Sequence, residues 1–286
     1  MGSLHIAEMP SPTWSLGATF GLKADRSGIS VADYLKGCDV TWQPANPGSA
    51  DVRLYKPATL GRGGVGCLKA ILAFVRQRRP SVVLLGEPRE VTPYDYFLAS
   101  PRNTLAVAPG DTFGRLYFAS EWTDPRLEDW HKREDRVCWI GRPLPARITL
   151  ATRLEEAGIA LDIFSRTPWP LASWRGYVED EQATAARYKF RVVAENYATH
   201  AYHSEKLFNA IRSGNVAFYV SDPALKIPHL NGAYLPLDMA LVRDRHSHAG
   251  SVLKGIERVM FTSAWEPYSF RAFYDRIIAL AKEQAR

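Results

Sequence analysis

The chain has 286 residues, of which 46% are hydrophobic and 23% charged, and its formal net charge is +6. This composition is typical of a globular protein with room for two domains. No apolar run approaches the roughly 20 residues that a membrane-spanning helix needs. The first ten residues lack the basic and apolar segments of a secretory signal, so we expect a cytoplasmic protein.

The positive charge and the cysteines indicate no special class of partner. The basic residues are dispersed, and their densest group, at 76–79, ends a predicted helix, where cations complement the helix dipole. We predict no nucleic acid partner and, as a secondary expectation, weak contact with an anionic membrane surface. Cys38, Cys67 and Cys138 form no CxxC pair, so we expect reduced thiols and no zinc site.

The first third of the chain predicts strands that alternate with loops and helices. A helix is expected to begin near Ser30, and short apolar runs predict strands at 40–42, 51–54 and 82–85. The segment from Gly61 to Gly66 matches the dinucleotide pattern GxGxxG. The preceding strand ends several residues upstream, however, and no acidic residue is placed after a second strand. We therefore interpret the segment as a glycine-rich loop that opens a helix.

Two carboxylates follow the apolar run at 82–85. Glu87 comes two residues after the run ends, and Glu90 lies three residues further on. Ligands of open α/β sheets bind beyond the carboxyl ends of strands, so a carboxylate here can serve as a general base. A solvated loop carboxylate is the structural alternative, and the local sequence leaves both interpretations open.

A polar stretch at 132–135 predicts a boundary between two domains, 1–134 and 135–286. The second domain begins with a predicted strand–helix–strand unit, with strands at 136–140 and 159–164 around a helix at 147–157.

Arg147 lies in the first turn of that predicted helix, where a cation is unfavourable for the helix dipole. An anion bound at the helix N-terminus would offset this cost. Arg142 is the alternative cation for such a site, whereas Arg153 is expected to be a solvated helix residue.

Residues 188–220 predict a strand, a polar loop, a helix and a second strand. The helix is expected to begin after Ser204, a residue type favoured at the N-cap. Glu205 and Lys206 would lie in the first turn, where the carboxylate can bind sugar hydroxyls and the ammonium can neutralise phosphate. A capped helix with a charged first turn is also ordinary helix structure, so the local pattern leaves both interpretations open.

Two further patterns lie near the C-terminus. His246 and His248 form a His-x-His pair, but no third ligand is nearby, so we predict a solvated loop rather than a metal site. Residues 269–285 carry an apolar stripe at helical spacing and are expected to form a packed helix.

The segment 188–206 resembles the donor-binding signature of the α-1,3/4-fucosyltransferase family, in which YKF is followed by EN, a tyrosine and EK. The positions that match are Tyr188, Lys189, Phe190, Glu195, Asn196, Tyr202, Glu205 and Lys206. The chain departs from the family pattern at Ala194, an aromatic position, at Ser204, a threonine position, and at Ala217, where the family strand has proline.

The resemblance extends more loosely to two other segments. In GEPREVTPYDY, Glu87 takes the position of the family's general base, and Glu90 is the fallback. In the predicted helix at 147–157, Arg147 matches the arginine that contacts the donor diphosphate.

The resemblance implies the GT-B fold, an α/β fold in which two Rossmann-like domains face each other across a cleft. Domain 1–134 would bind the acceptor and domain 135–286 the nucleotide sugar. The implied reaction is inverting transfer of fucose from GDP-fucose to a hydroxyl of an N-acetylglucosamine-type acceptor, such as a lipopolysaccharide or related surface glycan. Golgi members of the family carry an N-terminal anchor, and this sequence shows none, so we expect either a bacterial, cytoplasmic member or a trimmed form of a longer chain. Peripheral contact with the inner membrane is a secondary expectation.

The resemblance also implies the roles of individual residues. The catalytic set is Glu87 as general base, Glu205 near the reacting sugar and Arg147 on the leaving diphosphate. The donor-binding set is Arg147, Tyr188, Lys189, Glu195, Asn196, Tyr202, Ser204, Glu205 and Lys206. No DxD motif is present, and two cations can replace a metal at the diphosphate, so we predict an enzyme without metal or cofactor.

Three alternatives stay open on the sequence. The same fold can use another donor, such as a different GDP-sugar or a CMP-linked acid. The chain can be a non-catalytic protein that binds a nucleotide or carbohydrate. An oxidoreductase that binds a nicotinamide dinucleotide at Gly61 to Gly66 is the third.

Overall fold

The computed structural model describes residues 3–8, 20–24, 26–44, 50–55, 81–84, 104–107, 123–196, 203–225 and 227–286. They form two compact units, each built on a five-stranded sheet in which every described strand pairing is parallel. Parallel sheets with helices between the strands are the hallmark of Rossmann-like folds. The predicted α/β class is therefore confirmed.

The described elements are numbered in chain order. The strands are β1 (Leu4–Glu8), β2 (Val40–Pro44), β3 (Val52–Tyr55), β4 (Ser81–Leu84), β5 (Thr104–Val107), β6 (Glu134–Ile140), β7 (Leu161–Phe164), β8 (Tyr188–Ala194), β9 (Val216–Val220) and β10 (Leu235–Pro236). The α-helices are α1 (Val31–Gly37), α2 (Pro145–Glu156), α3 (Glu181–Ala185), α4 (Glu205–Arg212), α5 (Met239–Arg243), α6 (Arg245–Phe261) and α7 (Phe270–Gln284). Short 3-10 helices cover Leu127–Lys132, Pro228–Leu230 and Ser263–Tyr268.

The first unit has the strand order β2-β1-β3-β4-β5. Its core joins buried residues of β1, β2, β3 and β4 to α1 and to the C-terminal helix α7. Trp42 lies edge-to-face against Tyr274 of α7, with ring centroids 5.4 Å apart, and against Phe20 at 6.1 Å. The predicted helix near Ser30 is confirmed as α1, because the Ser30 hydroxyl accepts the backbone N–H of Asp33 at 3.0 Å.

The second unit has the strand order β10-β9-β8-β6-β7. Strand β8 pairs with β6 and β9, and six of its seven residues are buried, which explains its nearly continuous apolar sequence. Gly214 follows α4 with a positive φ of 72°, and a Cβ there would lie 2.9 Å from the Arg133 guanidinium. Glycine is therefore required at this helix end both for its conformation and for the close approach of Arg133.

The two units divide the chain differently from the predicted domains, 1–134 and 135–286. The first unit comprises Met1–Trp122, Ala201–His203 and Glu266–Arg286, and the second comprises Thr123–His200 and Ser204–Trp265. The segment before β6 belongs to the second unit because Trp130 donates to the carbonyl of Lys189 at 3.3 Å and packs on Phe190. The C-terminal helix belongs to the first unit because its apolar stripe fills that core.

The strand order of the second sheet places its topological switch point between β6 and β8. The chain leaves β6 through α2 toward β7 at one side, and it leaves β8 through α4 toward β9 at the other. Crevices for ligands open at the carboxyl ends of strands where the strand order reverses in this way. None of the described helices is long and apolar enough to cross a membrane.

Candidate functional site

Six of the predicted site residues meet at the carboxyl edge of β8. Arg147 comes from the first turn of α2, whereas Ser204, Glu205 and Lys206 begin α4. Glu195 and Asn196 directly follow β8 and connect these two groups. The residues lie at the switch point of the second sheet, as the predicted strand–loop–helix unit requires.

Arg147 is anchored to the end of β8. Its side chain is buried, and one guanidinium nitrogen, Nη2, donates to the Ala194 carbonyl at 2.8 Å and to Asn196 Oδ1 at 3.0 Å. The N-terminus of α2 has no side-chain cap and no acidic residue in its first turn. The helix dipole and a buried cation therefore both create positive potential here, which favours a bound anion.

Gly141, directly after β6, lies close to the Arg147 guanidinium, although a Cβ there would make only ordinary van der Waals contacts. A Cβ on Gly141 would lie 3.5 Å from Arg147 Nη1 and 3.4 Å from Trp139 Nε1. The Gly141 carbonyl accepts the indole N–H of Trp169 at 3.0 Å, and this fixes the loop. Arg142, the alternative cation, has an exposed side chain, and only its carbonyl contacts Arg147, at 3.5 Å.

Glu195 organises the start of α4. Its side chain is only 1% exposed, and four donors surround its two carboxylate oxygens. They are the Ser204 backbone N–H at 2.9 Å, the Ser204 hydroxyl at 2.6 Å, the Tyr219 hydroxyl at 2.9 Å and Lys206 Nζ at 3.3 Å. A carboxylate offers about four acceptor positions, so these donors use the capacity of Glu195. Its position therefore suits a group that holds α4 and Lys206 in place.

Lys206 and Glu205 form the more accessible part of the site. Lys206 Nζ donates to the Ser204 hydroxyl at 2.7 Å, and the Ser204 hydroxyl also accepts the Lys206 backbone N–H at 3.5 Å. The predicted N-cap at Ser204 is thus confirmed. The Lys206 side chain is 24% exposed and that of Glu205 is 38% exposed, with 3.9 Å between ammonium and carboxylate. Both side chains can therefore reach a ligand at this edge.

The arrangement concentrates two cations on three consecutive residues. Arg147 binds Ala194 and Asn196, while Lys206 binds the intervening Glu195. Helices α2 and α4 both begin at this edge, so the site combines fixed cations with the positive ends of two helix dipoles. These positive charges suit the binding of a diphosphate. The partly exposed carboxylate of Glu205 suits the hydroxyl groups of whatever is attached to that diphosphate.

Tyr188 and Lys189 lie at the opposite end of β8, although the sequence predicts them in the donor site. Strand residues rise about 3.3 Å each, so Tyr188 lies about 23 Å from Glu195 along the strand. The Tyr188 hydroxyl bonds Asp162 Oδ2 at 3.3 Å, and burial together with the charge of Asp162 raises the pKa of Tyr188. The Lys189 ammonium lies over the Trp130 ring at 5.4 Å. The structure therefore separates both residues from the carboxyl edge.

Several predicted residues lie outside the described parts of the chain. They are Glu87, Glu90, Tyr202 and the segment from Gly61 to Gly66. Arg153 is described, and its exposed side chain agrees with the predicted solvated position.

The loop predicted at His246 and His248 is wrong, because both residues belong to the first turns of α6. His246 Nε2 lies 3.2 Å from Asp135 Oδ1, and its ring packs edge-on against Phe190 at 5.2 Å. Within the described residues, no group of three or more His, Cys, Asp or Glu side chains is arranged to hold a metal ion.

Tyr219 is a site residue that the sequence analysis missed. It lies on β9 with its side chain buried, and its hydroxyl binds Glu195 across 24 positions of sequence. A buried tyrosine usually finds a partner for its hydroxyl. The available signal was a tyrosine, with its polar hydroxyl, one residue before the end of an otherwise apolar strand.

No protein-family model and no curated protein sequence matches the chain. Solved structures do match. A crystal structure of an alpha1,3-fucosyltransferase superposes with a TM-score of 0.60 at 16% identity, covering 98% of this chain and 90% of that one. A structure of alpha1,3-fucosyltransferase with GDP-fucose gives 0.56 at 13% identity, covering 98% and 90%. Anabaena HepE in complex with UDP and glucose gives 0.51 at 12% identity, covering 98% and 100%. The chain therefore has the GT-B fold of glycosyltransferases.

Proposed function

We propose that this chain is an inverting glycosyltransferase that takes fucose from GDP-fucose. The acceptor is a hydroxyl of an N-acetylglucosamine-type unit in a lipopolysaccharide or related surface glycan. The proposal rests on one observation above all: Arg147 and Lys206 are both held at the carboxyl end of β8, on Ala194, Glu195 and Asn196. The similarity in fold to a GDP-fucose-bound transferase supports the choice of donor.

The two cations would act on the leaving diphosphate. Glycosyl transfer passes through an oxocarbenium-like state, and negative charge grows on the diphosphate as the sugar bond breaks. Cations and helix N-termini that are fixed before the reaction stabilise such charge without reorganisation. Arg147 and Lys206 provide two positive charges at this position, so we propose that no metal ion is required.

Glu205 and Glu87 complete the proposed chemistry. Glu205, beside Lys206 and partly exposed, would bind donor hydroxyls or the positive charge that develops on the sugar. Glu87 would accept the proton of the attacking acceptor hydroxyl, with Glu90 as the fallback. Asn196 is held by Arg147, so we propose that it orients the diphosphate-binding guanidinium and contacts the nucleotide.

The test is calorimetric titration of the full chain with GDP, GDP-fucose, UDP and CMP, in the presence of a metal chelator. We expect guanine nucleotides to bind, and Lys206→Ala to weaken them about ten- to a hundredfold, as expected for a charge-assisted contact to phosphate. Lys189→Ala is the matched control. It removes a lysine of the same sequence signature whose ammonium lies on Trp130, and it should leave nucleotide affinity unchanged.

The possible outcomes separate the parts of the proposal. Selective binding of UDP or CMP would keep a nucleotide-sugar site and discard fucose as the donor sugar. Equal losses in the Lys206 and Lys189 variants would show that the site lies elsewhere. No nucleotide binding by the wild-type protein would remove the basis for the enzyme assignment.

A further inference from the structure

A cavity with both polar and apolar lining residues opens beside the candidate site, at the carboxyl ends of β9 and β10. It has a volume of about 810 Å³, within the range of small-molecule sites. We call it the β9 pocket and define it by its polar lining residues, Tyr219, Ser221, Asp222, Asn231 and Tyr234. It lies wholly within the second unit.

The β9 pocket shares a wall with the candidate diphosphate site. The Tyr219 ring lines the pocket, while its hydroxyl donates to Glu195, which in turn binds Lys206. The backbone N–H of Glu195 also donates to the carbonyl of Val220, next to Ser221, at 3.1 Å. Neighbouring strands are about 4.8 Å apart, so the edge from β6 across β8 to β9 spans about 10 Å. A nucleoside diphosphate can bridge that distance.

The lining of the pocket suits an uncharged planar ring rather than a phosphate. Among its described lining residues, Asp222 is the only charged one, and a carboxylate repels phosphate. Tyr219 and Tyr234 stand edge-to-face with centroids 5.5 Å apart, and aromatic rings of this kind supply rigid apolar contact area. Either an aromatic base or a sugar ring can pack on these surfaces, so the choice between the two ligands depends on the charged residue of the pocket, Asp222.

Asp222 has one carboxylate oxygen engaged and one available. Its Oδ1 accepts the backbone N–H of Ala224 at 2.7 Å, which fixes the side chain in a turn directly after β9. Among the described residues, none makes a hydrogen bond to Oδ2. A fixed carboxylate oxygen accepts best from a ligand edge that carries adjacent N–H groups. Guanine has such an edge in its ring N–H and its 2-amino group. The Asp222 carboxylate has no donor of its own, so it can only accept hydrogen bonds from the ligand.

We infer that the β9 pocket binds the base of the nucleotide and that Asp222 selects guanine through Oδ2. This inference rests on the proposed function, because it takes the diphosphate to lie between Arg147 and Lys206. It adds a specificity-determining residue to that site, and it explains in physical terms why a guanine nucleotide would be preferred over a pyrimidine nucleotide.

The test compares GDP with two analogues that differ from it at a single position of the base. Inosine diphosphate lacks the 2-amino group, and xanthosine diphosphate carries an oxygen in its place. Wild-type protein should bind GDP about ten- to a hundredfold more tightly than either analogue, the discrimination typical of a specific hydrogen-bonded contact to a base edge.

Asp222→Asn should reverse this preference. The asparagine carbonyl still accepts the Ala224 N–H, so the turn is preserved, but an amide N–H replaces Oδ2. The variant should lose about tenfold or more in GDP affinity and gain affinity for xanthosine diphosphate. A purely structural role for Asp222 would not produce that gain. Asp180→Asn is the matched control, since Asp180 caps α3 through one backbone N–H at 2.8 Å, and its GDP-to-analogue ratios should equal those of the wild type.

One result would overturn the inference and leave the proposed function standing. It is an unchanged preference for GDP in Asp222→Asn, with GDP binding still weakened by Lys206→Ala. A wild-type preference for a pyrimidine nucleotide would overturn both the inference and the choice of GDP-fucose as the donor. Absence of binding by any nucleotide would overturn both the inference and the proposed function. Tyr234→Leu provides a further check, because loss of an aromatic contact should weaken GDP and inosine diphosphate to the same degree.

Discussion

Asp162 and Glu195 are both buried carboxylates of the second unit, but their partners differ in kind. Asp162, on β7, binds Arg136 through both of its oxygens, at 2.6 and 2.8 Å, and Arg175 at 2.7 Å. Glu195, at the carboxyl edge, binds one ammonium, two hydroxyls and one backbone N–H. The charge of Asp162 is neutralised by two arginines. The charge of Glu195 instead holds together the residues that begin helix α4.

The difference indicates what each carboxylate is for. Asp162 and its arginines link β7 to β6 and to the loop after β7, and the Tyr188 hydroxyl adds a fourth contact at 3.3 Å. Glu195 instead leaves the Lys206 ammonium partly exposed at the sheet edge where ligands bind. We therefore expect changes at Asp162 to affect stability alone, and changes at Glu195 to affect stability and nucleotide affinity together.

The largest effect is expected for Asp162→Ala. This change leaves Arg136 and Arg175 without their shared counter-ion and the buried Tyr188 hydroxyl without its acceptor, and it should cost about 2–4 kcal/mol of unfolding free energy. The measurement is a urea titration followed by mass spectrometry of thiol labelling at Cys138. That thiol is fully buried, and burial raises its pKa to about 12, so labelling reports unfolding of the second unit.

The control for this change is Asp129→Ala, which removes an exposed ion pair with Lys132 and should leave the urea midpoint in place, as is usual for surface pairs. GDP affinity of folded Asp162→Ala should equal that of the wild type. A loss of affinity would mean that the two clusters are coupled and that the distinction between them is invalid.

A smaller but two-sided effect is expected for Glu195→Gln. The substitution keeps the shape of the side chain but removes the counter-charge of Lys206 and weakens the acceptor for Ser204. We expect a loss of about 1 kcal/mol in stability and about tenfold in GDP affinity, or about 1.4 kcal/mol. Calorimetry and urea titration of the same preparation measure both. A lower urea midpoint with unchanged GDP affinity would assign Glu195 to stability alone.

The part of the site that could be predicted from the sequence is the part that lies at the carboxyl ends of strands. Arg147, Ser204 and Lys206 were placed together because apolar runs mark strands, and the carboxyl ends of parallel strands share one edge. The same logic could not reveal that Glu195 is saturated. Its fourth donor, Tyr219, lies 24 residues later on another strand, and no local pattern carries that contact.

Three differences between the predicted and the observed positions have equally physical causes. Tyr188 and Lys189 belong to the sequence signature, but they are the first two of the seven residues of β8 and therefore lie at the end of the strand opposite the carboxyl edge. His246 and His248 carry no strong helix signal, and the contacts of His246 with Asp135 and Phe190 favour the helix from outside it. The apolar stripe of α7 predicted a packed helix correctly but could not tell which of the two sheets it covers.

The smallest effect is a change in the pH dependence of stability, again specific to Asp162. Burial acts to raise the pKa of this carboxyl, but the hydrogen bonds and charges of Arg136 and Arg175 outweigh it, so the folded pKa lies below its usual range. Below the unfolded pKa of about 3.9, the unfolded chain binds more protons than the folded one, so stability falls with falling pH. The contribution is fully present above that value and disappears as the pH drops through the folded pKa.

Asp162→Asn lacks this titration, so its unfolding free energy should fall less steeply than that of the wild type as the pH decreases below about 4. Urea titrations at a series of pH values, read at Cys138, give the difference between the two proteins. The difference should be constant near neutral pH and shrink in acid. If it stayed constant down to the lowest pH at which both proteins fold, ionisation of Asp162 would contribute nothing. The cluster would then stabilise the sheet through geometry that a neutral amide can also provide.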